Sequence, residues 1–224
     1  MSLTVNHKDK ESCLGDKPFF PLAQGKSFSE LIFILLSERE PKPEELRVFE
    51  LILNISIDHG EDTPSAKAVI EKAKSGESIG ESLASSIKEI NDSHGGAQEA
   101  LMPILYRMVK EKVSAEDIVS EYKEQDKKFP GFGHRLYKEK DPRAELLIKA
   151  LQERNLGADY ISVGRDLERA LFEIIGKKLP LNIDGAIAIA LCSFNLPPVL
   201  GKPVFIIARV AGLCAHYINN KREK

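Results

Sequence analysis

From Ser27 to Glu40 the chain reads SFSELIFILLSERE, a strongly apolar run with Glu30 in its first turn, which predicts a helix. Pro41 and Pro43 end that run and open the next. There Leu46, Phe49, Ile52 and Leu53 recur at three- and four-residue spacing, which predicts a helix to Ile57, buried over much of its surface. Asp58-His59-Gly60 stops it. Thr63-Pro64 pairs an N-cap with proline at the first helical position and starts a helix to about Lys74. Another helix follows from Ser78 to about Ile90, with Gly80, Ala84, Ser85 and Ser86 small enough for close packing. Asn91 to Gly96 is a break, after which Ala97–Lys112 and the more polar Ser114–Lys127 read as helices. Phe129-Pro130-Gly131-Phe132-Gly133-His134 is a second non-helical segment. Asp141-Pro142 repeats the cap-and-proline start of a helix to about Arg154, and Asp159–Ile175 forms the next. An apolar helix runs from Asn182-Ile183-Asp184-Gly185 to Phe194, and a last one from about Pro203 to Asn219. Val204–Ile207 also fits a strand, but the Ala/Gly/Cys content after it favours one buried helix. No hairpin pattern stands out, and the first ordered element is placed near Ser27. The expected fold class is all-α.

Composition narrows the classes. The chain has 224 residues, 42% hydrophobic and 29% charged, with a formal net charge of -2, enough for a sizeable core without staples. That balance excludes a disordered charged tail and a wholesale nucleic-acid footprint. Cys13, Cys192 and Cys214 make an odd count with no CxxC, against a disulfide framework or zinc ribbon; Cys192 and Cys214 sit in apolar runs. No stretch is read as reaching the roughly 18 apolar residues of a spanning helix, and MSLTVNHKDKESC has no signal core. A soluble, cytoplasmic protein of a reducing compartment is the expectation, without nucleic-acid or membrane partners.

Four histidines, His7, His59, His94 and His134, sit in or beside helix breaks, and His216 lies on the last helix. A lone histidine is most often structural. Here glycine adjoins His59, His94 and His134, letting backbone and ligand come close. With no HxH or HExxH pair, the spacing gives no support for a metal site. Asp184, in NIDG before an apolar helix, reads either as an N-cap or as a carboxylate base beside buried surface, where desolvation would raise its pKa. Arg143 stands in a helix first turn, where a cation is disfavoured, and Arg209 lies in the apolar IIARVAGLCAHY. A buried arginine needs an anion, supplied by an internal salt bridge or by a ligand. Two such arginines with three loop histidines suit a small polycarboxylate.

In order along the chain stand Asp58-His59-Gly60, His94-Gly95-Gly96-Ala97, Gly131-Phe132-Gly133-His134-Arg135, Asp141-Pro142-Arg143, Asn182-Ile183-Asp184 and Ala208-Arg209…Ala215-His216. Each motif alone is weak; the ordered set resembles the citrate synthase family from about Phe20 to Tyr217. The resemblance implies a large helical domain (1–96 plus 182–224, dimerising) and an inserted small one (97–181, on the coenzyme A side), a homodimer, and a cleft that closes over the substrates. It implies that His94 hydrogen-bonds the acetyl thioester carbonyl, that Asp184 moves the methyl proton, and that His134 serves the oxaloacetate carbonyl or citryl hydroxyl. In cleavage it implies that His134 accepts the hydroxyl proton. His59, Arg143 and Arg209 would hold the dicarboxylate, and Gly131, Phe132, Gly133 and Arg135 would receive coenzyme A. No permanently bound cofactor is implied; a coenzyme A thioester is a substrate.

The chain is short beside full citrate synthases, whose tail supplies an arginine to the neighbouring site; Arg222 is the late arginine here, without matching context. The compact length, the Asp58–Ser65 segment and the closing HYINNKR resemble citryl-CoA lyases and the lyase module of ATP-citrate lyase. The resemblance therefore leans to cleavage of citryl-CoA to acetyl-CoA and oxaloacetate, with citrate synthesis the alternative and a catalytically silent relative that binds coenzyme A or a dicarboxylate behind it.

Overall fold

The computed structural model describes residues 4–8, 11–92 and 94–221, with the side chains of His7, Lys8 and Glu11 set aside. Arg222 lies outside the described residues. The chain divides into two compact units, residues 1–51 and 52–224.

The first unit opens with a three-stranded antiparallel meander, β1 (Val5–Lys8), β2 (Glu11–Leu14) and β3 (Lys17–Pro18), in which Val5 faces Leu14 and Cys13 faces Pro18. This corrects the expectation of no hairpin and no element before Ser27. Strands of four residues or fewer are too short to show an alternating pattern, and the β2–β3 turn is made by Gly15 at φ 61°. Helix α1 (Phe19–Gly25) packs on β2 and β3. Helix α2 (Phe28–Ser37) begins where Ser27 accepts from the Glu30 N–H and ends with Glu38 left-handed. Phe33 of α2 meets Phe49 of α3 (Pro43–Ser56) edge to face at 5.2 Å. Arg39 holds the buried Glu45 with two hydrogen bonds, 2.7 and 3.1 Å.

The second unit is helical: α4 (Pro64–Lys74), α5 (Ile79–Lys88), α6 (Ala97–Glu111), α7 (Ala115–Glu124), α8 (Pro142–Glu153), α9 (Ala158–Ile175), α10 (Ile183–Ser193) and α11 (Gly201–Lys221). The expected starts hold because their caps form: Thr63 accepts from Ala66, Ser78 and Glu81 close a capping box, and Asp141 accepts from Arg143. The start of α10 is different. Asn182, not Asp184, is its N-cap, accepting from the Gly185 N–H at 3.1 Å, which leaves Asp184 in the first turn. Nine of its eleven residues are buried, since α6, α8 and α9 all pack on it. Such a helix is apolar all round because no side faces water.

Helix α11 packs on α4, α5, α6 and α10 and takes in Val204–Ile207, so the strand alternative is excluded. Contrary to the sequence expectation, Pro198–Lys221 does reach the length and mean hydropathy, 1.5, of a membrane span. Here it is a core element: Arg209 and His216 are among its buried side chains. The small-domain boundary expected at 97–181 falls inside this second unit.

Candidate active site

A cleft of about 560 Å³ lies where four helices of the second unit begin. Thr63 and Pro64 open α4, Gly95 precedes α6, Arg143 stands in the first turn of α8, and Asn182, Ile183 and Asp184 open α10; all line it. Phe205 and Arg209 of α11 complete the wall. Helix starts present free N–H groups and the positive end of the dipole, so the cleft is built for anions.

His59, His94, His134, Arg143, Asp184 and Arg209, far apart in sequence, all open on this cleft. Gly133 and Arg135 also line it, whereas Gly131 and Phe132 do not. Gly131, at φ +79°, has room for no side chain: a Cβ would lie 2.6 Å from Leu101 and 2.9 Å from the Gly185 Cα. Its carbonyl accepts from Asn182, and Phe132 is buried against Phe129 and bridges to Leu181. These two residues brace the loop from behind. Gly133 forms its rim, tied by Gly133 N–H to Pro180 at 2.7 Å and Asn182 Nδ2 to the Gly133 carbonyl at 2.9 Å.

Asp184 is the carboxyl at the α6 start. Burial raises its pKa; the Arg143 and Arg209 charges and the Ala97 and Gly95 N–H groups pull it back, leaving it at about 6. The backbone reaches Asp184 there because Gly95 is left-handed and its Cβ position is filled by the Phe205 ring, 2.2 Å away. His94 faces the same cleft. Its Nε2 lies 3.0 Å from the Oγ of buried Ser65, and burial, then the Arg209 charge, lowers its pKa to about 4. His94 is therefore neutral near neutral pH. The Ser65 contact holds the neutral imidazole in place at the cleft.

His134 is fixed by backbone. Its Nδ1 accepts from the Leu136 and Tyr137 N–H groups at 3.1 and 3.2 Å. The neutral ring then carries its hydrogen on Nε2, which faces Arg143 Nη2 at 3.2 Å. Arg143 can only donate, so both imidazole nitrogens face donors, a competition that a ligand oxygen accepting from Arg143 or Nε2–H would relieve. Burial and the Arg143 charge lower the His134 pKa, against the opposing pull of Asp141. In this tautomer His134 offers Nε2–H as a hydrogen-bond donor. His59 stands edge-on to His134 at 5.5 Å, and burial with the neighbouring Arg143, His134 and Arg209 charges lowers its pKa to about 4.

The two arginines resolve differently. Arg143 has an internal partner, the buried Asp141, at 2.7 and 3.0 Å. Asp141 also accepts from the Ile183 N–H at 3.1 Å, tying the α8 start to the α10 start. Burial would raise its pKa, but Arg143 holds it below the usual carboxylate range. Arg209 is 2% exposed, donates Nε to the Ser56 carbonyl at 2.9 Å and lies 4.7 Å from the Phe205 ring centroid; its Nη1 is buried with no hydrogen-bond partner. Arg209 thus carries an unmet hydrogen-bond demand in the wall of the cleft it lines. On the same face of α11, His216 bonds Asp58 at 2.9 Å, and Gly212 leaves room for the Ile57 carbonyl, so α11 holds the turn that carries His59.

Sequence reading left out Ser65, Phe205, Asp62 and Lys67 as site residues and took Asp141 as a cap only. Ser65 had a signal, its place directly after the Thr63-Pro64 helix start beyond Asp58-His59-Gly60. Phe205 had none, since an aromatic residue in an apolar helix reads as core. Among the described residues no three His, Cys, Asp or Glu side chains are placed to hold a metal ion.

The family model described as citrate synthase, C-terminal domain, matches residues 3–224, and the chain belongs to the citrate synthase family. Particular likenesses follow. Citryl-CoA lyase from Hydrogenobacter thermophilus superposes with a TM-score of 0.90 at 34% identity, covering 99% of this chain and 86% of that one. The citrate synthase of Synechocystis sp. is 30% identical over 215 residues, 91% of this chain and 52% of that protein. The ATP citrate lyase of Methanosaeta concilii, solved in complex with (3S)-citryl-CoA, shares the fold at a TM-score of 0.89 and 22% identity, over 100% of this chain and 39% of that one. The chain spans about half the length of the curated relatives it matches.

Proposed function

We propose that this protein cleaves citryl-CoA to acetyl-CoA and oxaloacetate. The observation that carries the reading is the meeting of Asp184, His94 and the His134–Arg143 donor pair in one cleft beside the open Nη1 of Arg209. The likeness to a citryl-CoA lyase over most of both chains supports cleavage as the direction.

In cleavage the bond between the hydroxyl-bearing carbon and the thioester's methylene breaks. The hydroxyl carbon becomes the keto carbon of oxaloacetate, and the methylene leaves as an enol-like thioester that gains one proton to become acetyl-CoA. The hydroxyl proton passes to water in the cleft, Asp184 gives a proton to the methylene carbon and regains one from solvent, so protons balance. Asp184, with its pKa near 6, is the group that supplies that proton and, in the reverse direction, removes it. A ring N–H of His94 stabilises negative charge on the thioester oxygen. His134 Nε2–H and Arg143 stabilise the oxygen that passes between alkoxide and carbonyl. Arg209 and His59 receive substrate carboxylates, Arg209 with a geometry suited to a charge-assisted bond. Gly133 and Arg135 line the path of the coenzyme A arm. On this reading residues 97–181 form the body that closes over the substrates, and the protein acts as a homodimer. The cytoplasm fits three cysteines that are all free.

Synthesis of citrate is the second reading, favoured by the 30% identity to a citrate synthase. It uses the same residues but also needs water to hydrolyse the thioester. One purified preparation decides: oxaloacetate release from citryl-CoA is followed by a coupled reductase, and free thiol is followed with acetyl-CoA plus oxaloacetate. We expect release from citryl-CoA, lost in Asp184→Ala and reduced in His134→Ala. No product in either direction with saturating enzyme overturns the proposal.

A further inference from the structure

His134 heads a loop, residues 135–140, that forms no regular element and whose residues are exposed at every position but one. The exception is Tyr137. Its ring lies over the His134 imidazole, with centroids 4.8 Å apart and planes 20° apart. The Arg143 guanidinium carbon lies 5.6 Å from the same ring and the His59 ring 6.5 Å away. The backbone N–H of Tyr137 is one of the two that grip His134 Nδ1. Leu136, 59% exposed, supplies the other but places its side chain in water.

Ring and backbone of one residue thus act on one imidazole. Two amide bonds in an exposed, ladder-free loop open easily unless a side chain anchors the segment. Along 135–140 the inward anchor is the Tyr137 ring. Elsewhere the loop is tied by solvent-exposed lysine contacts, Lys138 to the His134 carbonyl and Lys178 to Glu139. Those bonds constrain neither the plane of the imidazole nor its tautomer.

We propose that Tyr137 is a positioning residue for His134. Its ring stacks on the imidazole, keeps the amides of residues 136 and 137 on Nδ1, and so holds Nε2–H aimed into the cleft beside Arg143. The kinetic consequence rests on the proposed cleavage reaction; the tautomer lock does not. Ring stacking, not the phenol hydroxyl, is the working feature, since among the described residues no hydrogen bond of that hydroxyl accompanies the stack.

The test uses the full chain labelled with ¹⁵N-histidine, with His134 assigned by comparison with His134→Gln. In the unsubstituted protein the two ring nitrogens of His134 give the well-separated shifts of a single Nε2–H tautomer. Tyr137→Phe keeps that pattern and keeps kcat within about twofold. Tyr137→Leu moves both shifts toward the average of two tautomers and lowers kcat by about ten- to a hundredfold, the cost of a reacting group misplaced by a fraction of an ångström, with KM little changed. Resonances of the other histidines report whether the variant is folded; if Tyr137→Leu is not, Tyr137→Met takes its place. His134 shifts unaltered in the folded Leu or Met variant overturn the proposal. So does a Phe variant as impaired as the Leu one. A tautomer effect without turnover in any form, the unsubstituted protein included, upholds the positioning role and sinks the proposed reaction instead.

Discussion

Asp184→Asn is expected to make the protein more stable while removing its activity, and the two effects share one cause. In the folded chain the Asp184 carboxyl is raised from 3.8 to about 6, chiefly by burial. At about 1.4 kcal/mol per pKa unit, a rise of roughly two units corresponds to about 3 kcal/mol of differential interaction between the protonated and ionised forms. The folded pKa lies above the unfolded one, so the folded state binds the proton more tightly. Ionising Asp184 therefore costs stability: fully above about pH 6, progressively less between about pH 6 and 4, and not at all below. Asparagine has the same shape and no charge to bury. Its variant should exceed the unsubstituted protein by up to about 3 kcal/mol near pH 8 and match it near pH 4. Urea unfolding followed by far-ultraviolet circular dichroism at a series of pH values measures the difference, in which titrations common to both proteins cancel. A gap independent of pH, or an asparagine variant less stable at pH 8 than at pH 4 relative to its parent, refutes the reasoning. It would mean that Asp184 is not held against its charge, and the acid–base role would lose its physical basis.

The same carboxyl predicts that kcat/KM for cleavage falls above about pH 6, as protonated Asp184 is lost, and, because the reaction releases no net proton, that the condensation parameter follows the same profile. Stopped-flow rates across pH 5–8 check this, and a flat cleavage profile counts against it. Arg209→Met should weaken oxaloacetate binding by about a hundredfold in calorimetry, the worth of a charge-assisted bond in a dry site, and cost about 1–3 kcal/mol of stability because the buried Ser56 carbonyl loses its donor. Ser65→Ala should lower kcat by about tenfold without changing oxaloacetate binding, since it frees the His94 ring and touches no carboxylate site. Gly131→Ala should destabilise the fold by about 1–3 kcal/mol in urea titration, because its left-handed φ and the Leu101 and Gly185 contacts leave a methyl group nowhere to go.

How much of this was legible in sequence depended on the range of the interaction. Helix starts were legible because a cap is a local contract: Thr63 with Ala66, Ser78 with Glu81 and Asp141 with Arg143 are complete within three residues. The terminal meander was not, because strands of two to four residues carry no period and their pairing is decided by partners. The polar site residues were legible as chemistry out of place: a cation in a helix first turn, an arginine in an apolar helix, histidines beside glycines. What each is paired with was not. Arg143 and Arg209 gave the same signal, yet one has Asp141 as its counter-ion and the other keeps an open donor, a difference set by contacts no spacing encodes.

That difference also fixes how the site works. If both arginines were neutralised within the protein, a dicarboxylate would have to break an ion pair to bind. If neither were, two uncompensated charges would repel within one cleft and the folded state would bear the whole cost. Pairing Arg143 with Asp141 leaves a rigid, oriented donor beside His134, tied through Asp141 to the N–H of Ile183 and so to the turn that presents Asp184. Among the described residues Arg209 has no ion pair and is acted on by Asp58 and Asp184 only through space, so on the proposed reading its charge is left for a substrate carboxylate. Burial raises the pKa of Asp184, and the Arg143 and Arg209 charges act to lower it, so a bound carboxylate that offsets them moves Asp184 toward its protonated form. On the proposed reading, substrate charge thereby prepares the acid that cleavage requires, and product loss resets it.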